Sequence, residues 1–349
     1  MSILASFYNL KKSFKRKNIL FHDSRSFNAV NNVSFNIYKG ETLGLVGESG
    51  CGKTTLAKLI LNLFQPDQGE FYYGLNQDDF TKATFLYSSL EPNDKKLLID
   101  FKRSNDLFSK SRKQGIPYRK KIQIIFQNPS LSLNPKLKIK DILREPLKIH
   151  RLNQRDNIQE LEKYLNIVGL PPQILERYPS NLSGGQQQRL SIARALILEP
   201  ELLVADEPVS SLDISIQAQI INLLIKLKSE FSLTMLFISH DLSVIRQLAD
   251  RVAVMYKGEI IEIGDVDEVL NFPAHPYTKS LINSAFQLSH GGLIPQIQNP
   301  PSDNLISSNN RSCKYINHCK DACEVCKHSK PEIIDVSDNH KAACHLINR

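Results

Sequence analysis

Thr42-Leu43-Gly44-Leu45-Val46-Gly47-Glu48-Ser49-Gly50-Cys51-Gly52-Lys53-Thr54 is the stretch that decides the fold of this chain. Its first five residues form a short apolar run of strand length. The last eight follow the pattern G-x-x-x-x-G-K-[ST]. Glycines there let successive backbone N–H groups turn inward around phosphate oxygens. Lys53 reaches the outer phosphates, and the Thr54 hydroxyl suits Mg²⁺. Residues 55–64 then read as a helix, whose free N–H groups and positive dipole end face the loop. Strand, glycine loop and helix in this order predict an α/β fold that binds a nucleotide.

Outward from that loop, residues 33–37 alternate like a half-buried strand. Residues 122–126 form another apolar strand, and 202–205 and 234–238 read as buried parallel strands. Residues 251–256 and 259–263, separated by Lys257-Gly258, predict an antiparallel hairpin. Helical spacing runs through 139–168 until Pro171, Pro172 and Pro179 break it. Ser183 stands at a capping position before a helix over 186–198. Residues about 75–120 are polar and lysine-rich and read as a surface insertion with weak structure, partly helical near 95–107. Residues 287–312 are rich in Ser, Asn, Pro and Gly and read as loop. There is no internal repeat.

Composition excludes some classes. With 349 residues, 41% hydrophobic and 23% charged, the chain is expected to be an ordinary soluble globular protein. No stretch approaches the ~20 apolar residues that span a bilayer. The N-terminus lacks a secretory apolar run, so a cytoplasmic location is expected. The net charge of +8 is compatible with nucleic acid or anionic lipid, and no motif supports a nucleic-acid partner. Cys51 lies in the phosphate loop, whereas Cys313, Cys319, Cys323, Cys326 and Cys344 crowd the last stretch. In a reducing compartment that crowding favours a metal centre over disulfides.

Further residues carry chemistry by position. Asp206 emerges at the end of a buried strand, where a carboxylate can hold Mg²⁺. Glu207 follows it and is the candidate base for an attacking water. Gln127 ends another strand as a neutral amide that can touch Mg²⁺ and that water. His240 follows the 234–238 strand and can bond a terminal phosphate. Ser183-Gly184-Gly185-Gln186 at a helix start forms a second anion site. Arg189 and Arg194 on the same helix are expected to raise the local positive field.

On these residues the chain resembles the ATPase subunits of ABC transporters, over nearly its whole length. Gly47–Thr54 match the family's Walker A, Gln127 the Q-loop and Leu182–Gln186 the ABC signature. Leu202–Glu207 match Walker B, Ser211-Leu212-Asp213 the D-loop, and His240 the switch histidine. Asp206-Glu207-Pro208-Val209-Ser210 and His275-Pro276-Tyr277-Thr278 look like the oligopeptide/dipeptide importer branch, and the long N-terminal stretch resembles the F-type member of its paired ATPases.

The resemblance implies an ABC-type P-loop ATPase of α/β class: a RecA-like core, an antiparallel β subdomain, an α-helical subdomain and a small C-terminal Cys-containing extension. The ATPase domain would cover 1–270, with the helical subdomain at about 129–199 and the insertion at about 75–120. A C-terminal transporter domain with the cysteine cluster would cover 271–349. Such a subunit hydrolyses ATP to power peptide import; another importer, such as one for nickel, or a non-transport ABC ATPase is the alternative.

Several roles follow from the resemblance. Glu207 and His240 are the catalytic residues. ATP would meet Gly47, Glu48, Ser49, Gly50, Cys51, Gly52, Lys53, Thr54, Thr55, Gln127 and Asp206. Phe14 stands where the family stacks an aromatic on adenine, and equally reads as a strand-end core residue. Thr54, Gln127 and Asp206 would hold Mg²⁺. Ser183, Gly184, Gly185, Gln186 and Asp213 would complete the partner's ATP site. The implied partners are a sister ATPase in a heterodimer, two permease subunits and, indirectly, a substrate-binding protein, with no nucleic acid. The chain would lie peripherally on the cytoplasmic side of the inner membrane. Cys313, Cys319, Cys326 and Cys344 are family-matched, with Cys323 extra. Four thiolates suit a [4Fe–4S] cluster or Zn²⁺, and plain reduced thiols are the third reading. A metal there is expected to staple a tail poor in apolar residues.

Overall fold

The computed structural model describes residues 2–17, 24–88, 92–110, 115–289 and 312–347. The chain divides into two compact units, one built from 1–43 and 54–238, the other from 44–53 and 239–349.

In the first unit, β1 (Ile3–Lys17) and β2 (Ser24–Tyr38) are long antiparallel strands. β3 (Thr42–Val46) is buried throughout, and its last three residues pass into the second unit. β4 (Gln68–Tyr73) pairs antiparallel with the other edge of β1. Phe7 lies opposite both Phe35 and Phe71, stacked at 4.7 and 4.5 Å, so one cross-strand row of rings forms this sheet's core. Sequence alternation exposed only residues 33–37 of these strands. Irregular register, with Asn9 at φ +49° and Asn32 at φ +54°, shifts the inward face partway along and hides the rest.

β5 (Ile122–Ile125), β6 (Leu202–Asp206) and β7 (Thr234–Ile238) pair in parallel, with Ile124, Val204 and Leu236 in register. β6 and β7 are buried at every residue, which is why they read as unbroken apolar runs. Between β5 and β6 come the helices Ile139–Ile149, Ile158–Ile167 and Gly184–Leu196.

The 75–120 segment differs from the expectation of weak structure. It forms the helices Gln77–Ser88 and Pro92–Asn105. Ala83, Leu86 and Phe101 are buried with Tyr72 of β4, and Tyr8 and Tyr87 stack at 4.4 Å. Asp106 then accepts the Phe71 N–H at 2.9 Å and fixes the return to the sheet. The apolar positions are sparse, so composition concealed a small core shared with the strands beneath.

In the second unit, β8 (Arg251–Tyr256) and β9 (Glu259–Asp265) form the expected hairpin. Lys257 and Gly258 both have positive φ, as a two-residue hairpin turn requires. β11 (His340–Ala342) pairs with β9, and β10 (Ile334–Ser337) pairs with β11, all antiparallel. Sheet hydrogen bonds therefore tie residues 334–342, between Cys326 and Cys344, to β9. The helix Pro276–Ser289 takes in 287–289, and the rest of the expected 287–312 loop, apart from Ser312, lies outside the described residues. Residues on both sides of the expected boundary at 271 belong to this one unit.

Candidate functional site

The phosphate loop follows directly from buried β3. Gly47 has φ +151°, and a Cβ there would meet Met255 O at 2.2 Å, so no larger residue fits. Gly50 and Gly52 also have positive φ. Lys53 is buried, and its Nζ donates to Gly47 O at 2.7 Å and Glu48 O at 3.0 Å. These bonds hold the amine across the loop that would cradle phosphates. Glu48, Ser49 and Gly50 are exposed at its tip. Cys51 is buried, which pushes its thiol pKa up despite the neighbouring Lys53 amine.

Thr54 belongs to the first unit. Its hydroxyl donates to Asp206 Oδ1 at 3.2 Å. Asp206 is buried at the end of β6, and this hydroxyl–carboxylate pair is a suitable donor set for hydrated Mg²⁺. Glu207 leaves the strand with φ +45°, a conformation rare for a residue with a Cβ. Its N–H donates to Ile238 O at 3.1 Å, and Ser210 bonds its carbonyl. Gln127 Nε2 donates to Glu207 Oε2 at 3.2 Å and lies 3.3 Å from Ser210 Oγ. The structure thus brings Gln127 to the candidate base, and the contacts shown for its amide are not with the Thr54–Asp206 pair. Ser210 is the residue that sequence reasoning missed here.

The second anion motif is built as a helix cap. Ser183 Oγ accepts the Gln186 N–H at 3.3 Å, and Gln186 Oε1 accepts the Ser183 N–H at 3.0 Å. This reciprocal pair fixes the start of Gly184–Leu196. Gly184 is exposed, whereas Gly185 permits close packing: a Cβ there would lie 2.6 Å from Ile216 Cγ2. Asp213 is exposed at the start of the helix Ile214–Phe231, next to Ile214, which is 85% exposed. The two arginines also have structural partners. Arg189 donates to Val168 O at 2.7 Å and Arg194 to Ser132 O at 2.7 Å, so both tie the helical region together.

Phe14 sits in β1 opposite Phe27, 5.9 Å from that ring and 5.7 Å from Phe64, with the Lys12 amine 5.8 Å from its centre. It is half-buried, so part of this aromatic cluster faces solvent. Thr55 is also half-buried. His240 is exposed just after β7, while Asp241 caps the helix Leu242–Leu248 through Ser243 N at 2.8 Å.

Cys313, Cys319, Cys326 and Cys344 line one cavity together with His275 and Tyr315. Cys323 does not line that cavity, although its Sγ lies 3.4 Å from Cys326 Sγ. Burial raises the Cys313 and Cys344 thiols and pushes Cys326 up to about 11. The donor chemistry suits a thiolate-bound metal. Among the described residues, no group of three or more His, Cys, Asp or Glu is arranged to hold a metal ion. The described helices also include none long and apolar enough to cross a membrane.

Known proteins share these features. A family model described as "ABC transporter" matches residues 30–210. Another, "Oligopeptide/dipeptide transporter, C-terminal region", matches 261–326. The oligopeptide transport ATP-binding protein AppF of Bacillus subtilis is 40% identical over 351 residues, covering 97% of this chain and 95% of that protein. The dipeptide transport ATP-binding protein DppF of Haemophilus influenzae is 38% identical over 353 residues, covering 97% and 95%. The dimeric post-hydrolysis structure of the ATP-binding cassette MJ0796, bound to ADP and Pi, aligns with TM-score 0.54 and 26% identity over 75% of this chain and 99% of its own. CbiO1 from Clostridium perfringens shares the fold at TM-score 0.58 and 21% identity, over 83% and 97%. A family model spanning more than half of the sequence, with relatives aligned almost end to end, leaves one assignment: the chain belongs to the ATP-binding subunits of ABC transporters, in their oligopeptide/dipeptide group.

Proposed function

We propose that this chain hydrolyses ATP to power peptide import through an ABC transporter complex at the cytoplasmic face of the inner membrane. The relatives' roles in oligopeptide and dipeptide transport support the cargo class. The observation that carries the chemistry is the pair of carboxylates after β6, one bonded to the Thr54 hydroxyl and the other to the Gln127 amide. Lys53 grips the outer phosphates. Thr54 and Asp206 hold Mg²⁺, which supplies charge neutralisation on the phosphates. Glu207 takes the proton of the attacking water. Asp206 bonds the Thr54 hydroxyl and Glu207 the Gln127 amide, which gives the neighbouring carboxylates separate tasks. Gln127 donates from Nε2 to Glu207, which leaves its Oε1 as the oxygen that would meet Mg²⁺. His240 bonds the terminal phosphate, and Phe14 stacks on adenine.

The capped Ser183 motif and Asp213 serve the ATP of a sister ATPase in a head-to-tail heterodimer. Two permease subunits dock on that pair, and a substrate-binding protein delivers cargo to them. Glu207→Gln should retain ATP in the assembled complex and lose turnover by about 10²-fold or more. Lys53→Ala should fail to retain ATP. Nucleotide-retention and phosphate-release assays read the two outcomes, and normal turnover in Glu207→Gln would remove the base from Glu207.

The cysteine cavity takes a [4Fe–4S] cluster on Cys313, Cys319, Cys326 and Cys344 in this reading, supported by four cysteines lining one cavity. Anaerobically purified protein should then be brown, with broad absorbance near ~400 nm. Colourless protein with about one zinc per chain would transfer the assignment to Zn²⁺, and metal-free folded protein would end it.

A further inference from the structure

His275-Pro276-Tyr277-Thr278 has no part in the chemistry above, yet His275, Tyr277 and Thr278 are each at most 2% exposed. The segment starts the helix Pro276–Ser289. His275 Nδ1 accepts the Tyr277 N–H at 3.0 Å and so caps that helix, while Pro276 takes the first helical position. The buried Glu262 carboxylate accepts the Ala274 N–H at 2.7 Å and the His275 N–H at 3.0 Å. Tyr277 is thereby fixed, with ring centres 4.5 Å from Tyr256 and 5.6 Å from Tyr315. Burial keeps its phenol protonated by raising its pKa.

The Tyr277 hydroxyl accepts the Glu48 N–H at 2.9 Å. Glu48 N and the Gly47 carbonyl are opposite ends of one planar amide. The carbonyl end accepts Lys53 Nζ at 2.7 Å. Fixing the N–H end therefore fixes where the carbonyl points, and with it the lysine. Two neighbours reinforce the hold: Gly47 packs against Met255 O, and Gly258 N donates to Cys51 O at 2.8 Å.

We propose that Tyr277 is a positioning residue for ATP binding, orienting the Gly47–Glu48 amide so that its carbonyl holds the Lys53 amine in the phosphate loop. The inference rests on that loop being the nucleotide-binding element. Removing the hydroxyl frees the amide plane and lets the lysine sample other directions.

The test uses the full-length chain and N-methylanthraniloyl-ATP. Tyr277→Phe should weaken its binding about 3- to 10-fold, the loss of roughly one hydrogen bond's net contribution. Tyr164→Phe is the control, because Tyr164 also loses buried contacts, to Arg155 and Glu199, on another element. It should lower the melting temperature and leave nucleotide affinity unchanged. Wild-type affinity in Tyr277→Phe, beside lost affinity in Lys53→Ala, overturns the positioning role alone. Retained affinity in Lys53→Ala overturns the loop assignment beneath it. Hydrogen exchange supplies a measurement that needs no variant to fold: the Glu48 amide should be protected in the nucleotide-free wild type, and rapid exchange there overturns the proposal.

Discussion

Glu207 shows how much one residue's backbone can decide. The Asp206-Glu207 pair is visible in the sequence, but φ +45° at Glu207 is not. Such a conformation costs about 1–3 kcal/mol and persists where surrounding bonds over-determine it. Here Ile238 O and Ser210 supply those bonds. His275 is a second case. Burial drives its pKa down to about 4 from 6.5, so the unfolded chain takes up the proton first as pH falls. Stability present above about pH 6.5 is then lost between 6.5 and 4, by up to about 3 kcal/mol. Urea midpoints measured across that range should fall in the wild type. His275→Asn, which keeps a capping acceptor, should flatten the slope. An unchanged slope would mean that His275 does not titrate with unfolding.

At the scale of elements, the Ser183 capping box and the two glycines after it have separable tasks. Gly185 lies against Ile216, and Gly185→Ala forces Gly184–Leu196 away from Ile214–Phe231. A loss of about 1–3 kcal/mol is expected from such overpacking. At Gly184 an added Cβ would meet only Leu212 Cδ2 at 3.6 Å, an ordinary contact. Gly184→Ala should therefore unfold no earlier than wild type, since alanine is the better helix former. Denaturant titration of the two variants checks the contrast, and equal losses would contradict it. The 75–120 helices carry a related lesson. Their few apolar residues complete a core only with Tyr72 and Tyr8 from the strands, so no window of that segment alone revealed it.

For the whole molecule, the buried Glu262 is where the second unit's pieces converge. Its carboxylate takes two backbone N–H groups before the helix Pro276–Ser289 and lies 2.7 Å from His340 Nε2 on β11. Glu262→Leu would leave these buried polar groups without their acceptor. The cost should be about 3 kcal/mol or more, since each unmet buried group costs about 1–3 kcal/mol. Limited proteolysis should then release the tail from the folded chain. A tail that stays protected would show that the β9–β11 ladder suffices.

The sequence by itself determined the phosphate loop, the order of its companion motifs, the parallel strands and the β8–β9 hairpin. Each is encoded within a few adjacent residues: glycines at positive φ, unbroken apolar runs, and a Lys-Gly turn. Only the tertiary structure decided the rest, because those features depend on partners far along the chain. Gln127 meets Glu207 across 80 residues, and Tyr277 meets Glu48 across 229. Arg189 and Arg194 stand 21 and 62 residues in sequence from the carbonyls they bond, Val168 O and Ser132 O. The tail reads as lacking a core, but main-chain hydrogen bonds join its residues 340–342 to β9, and those bonds leave no mark on side-chain composition.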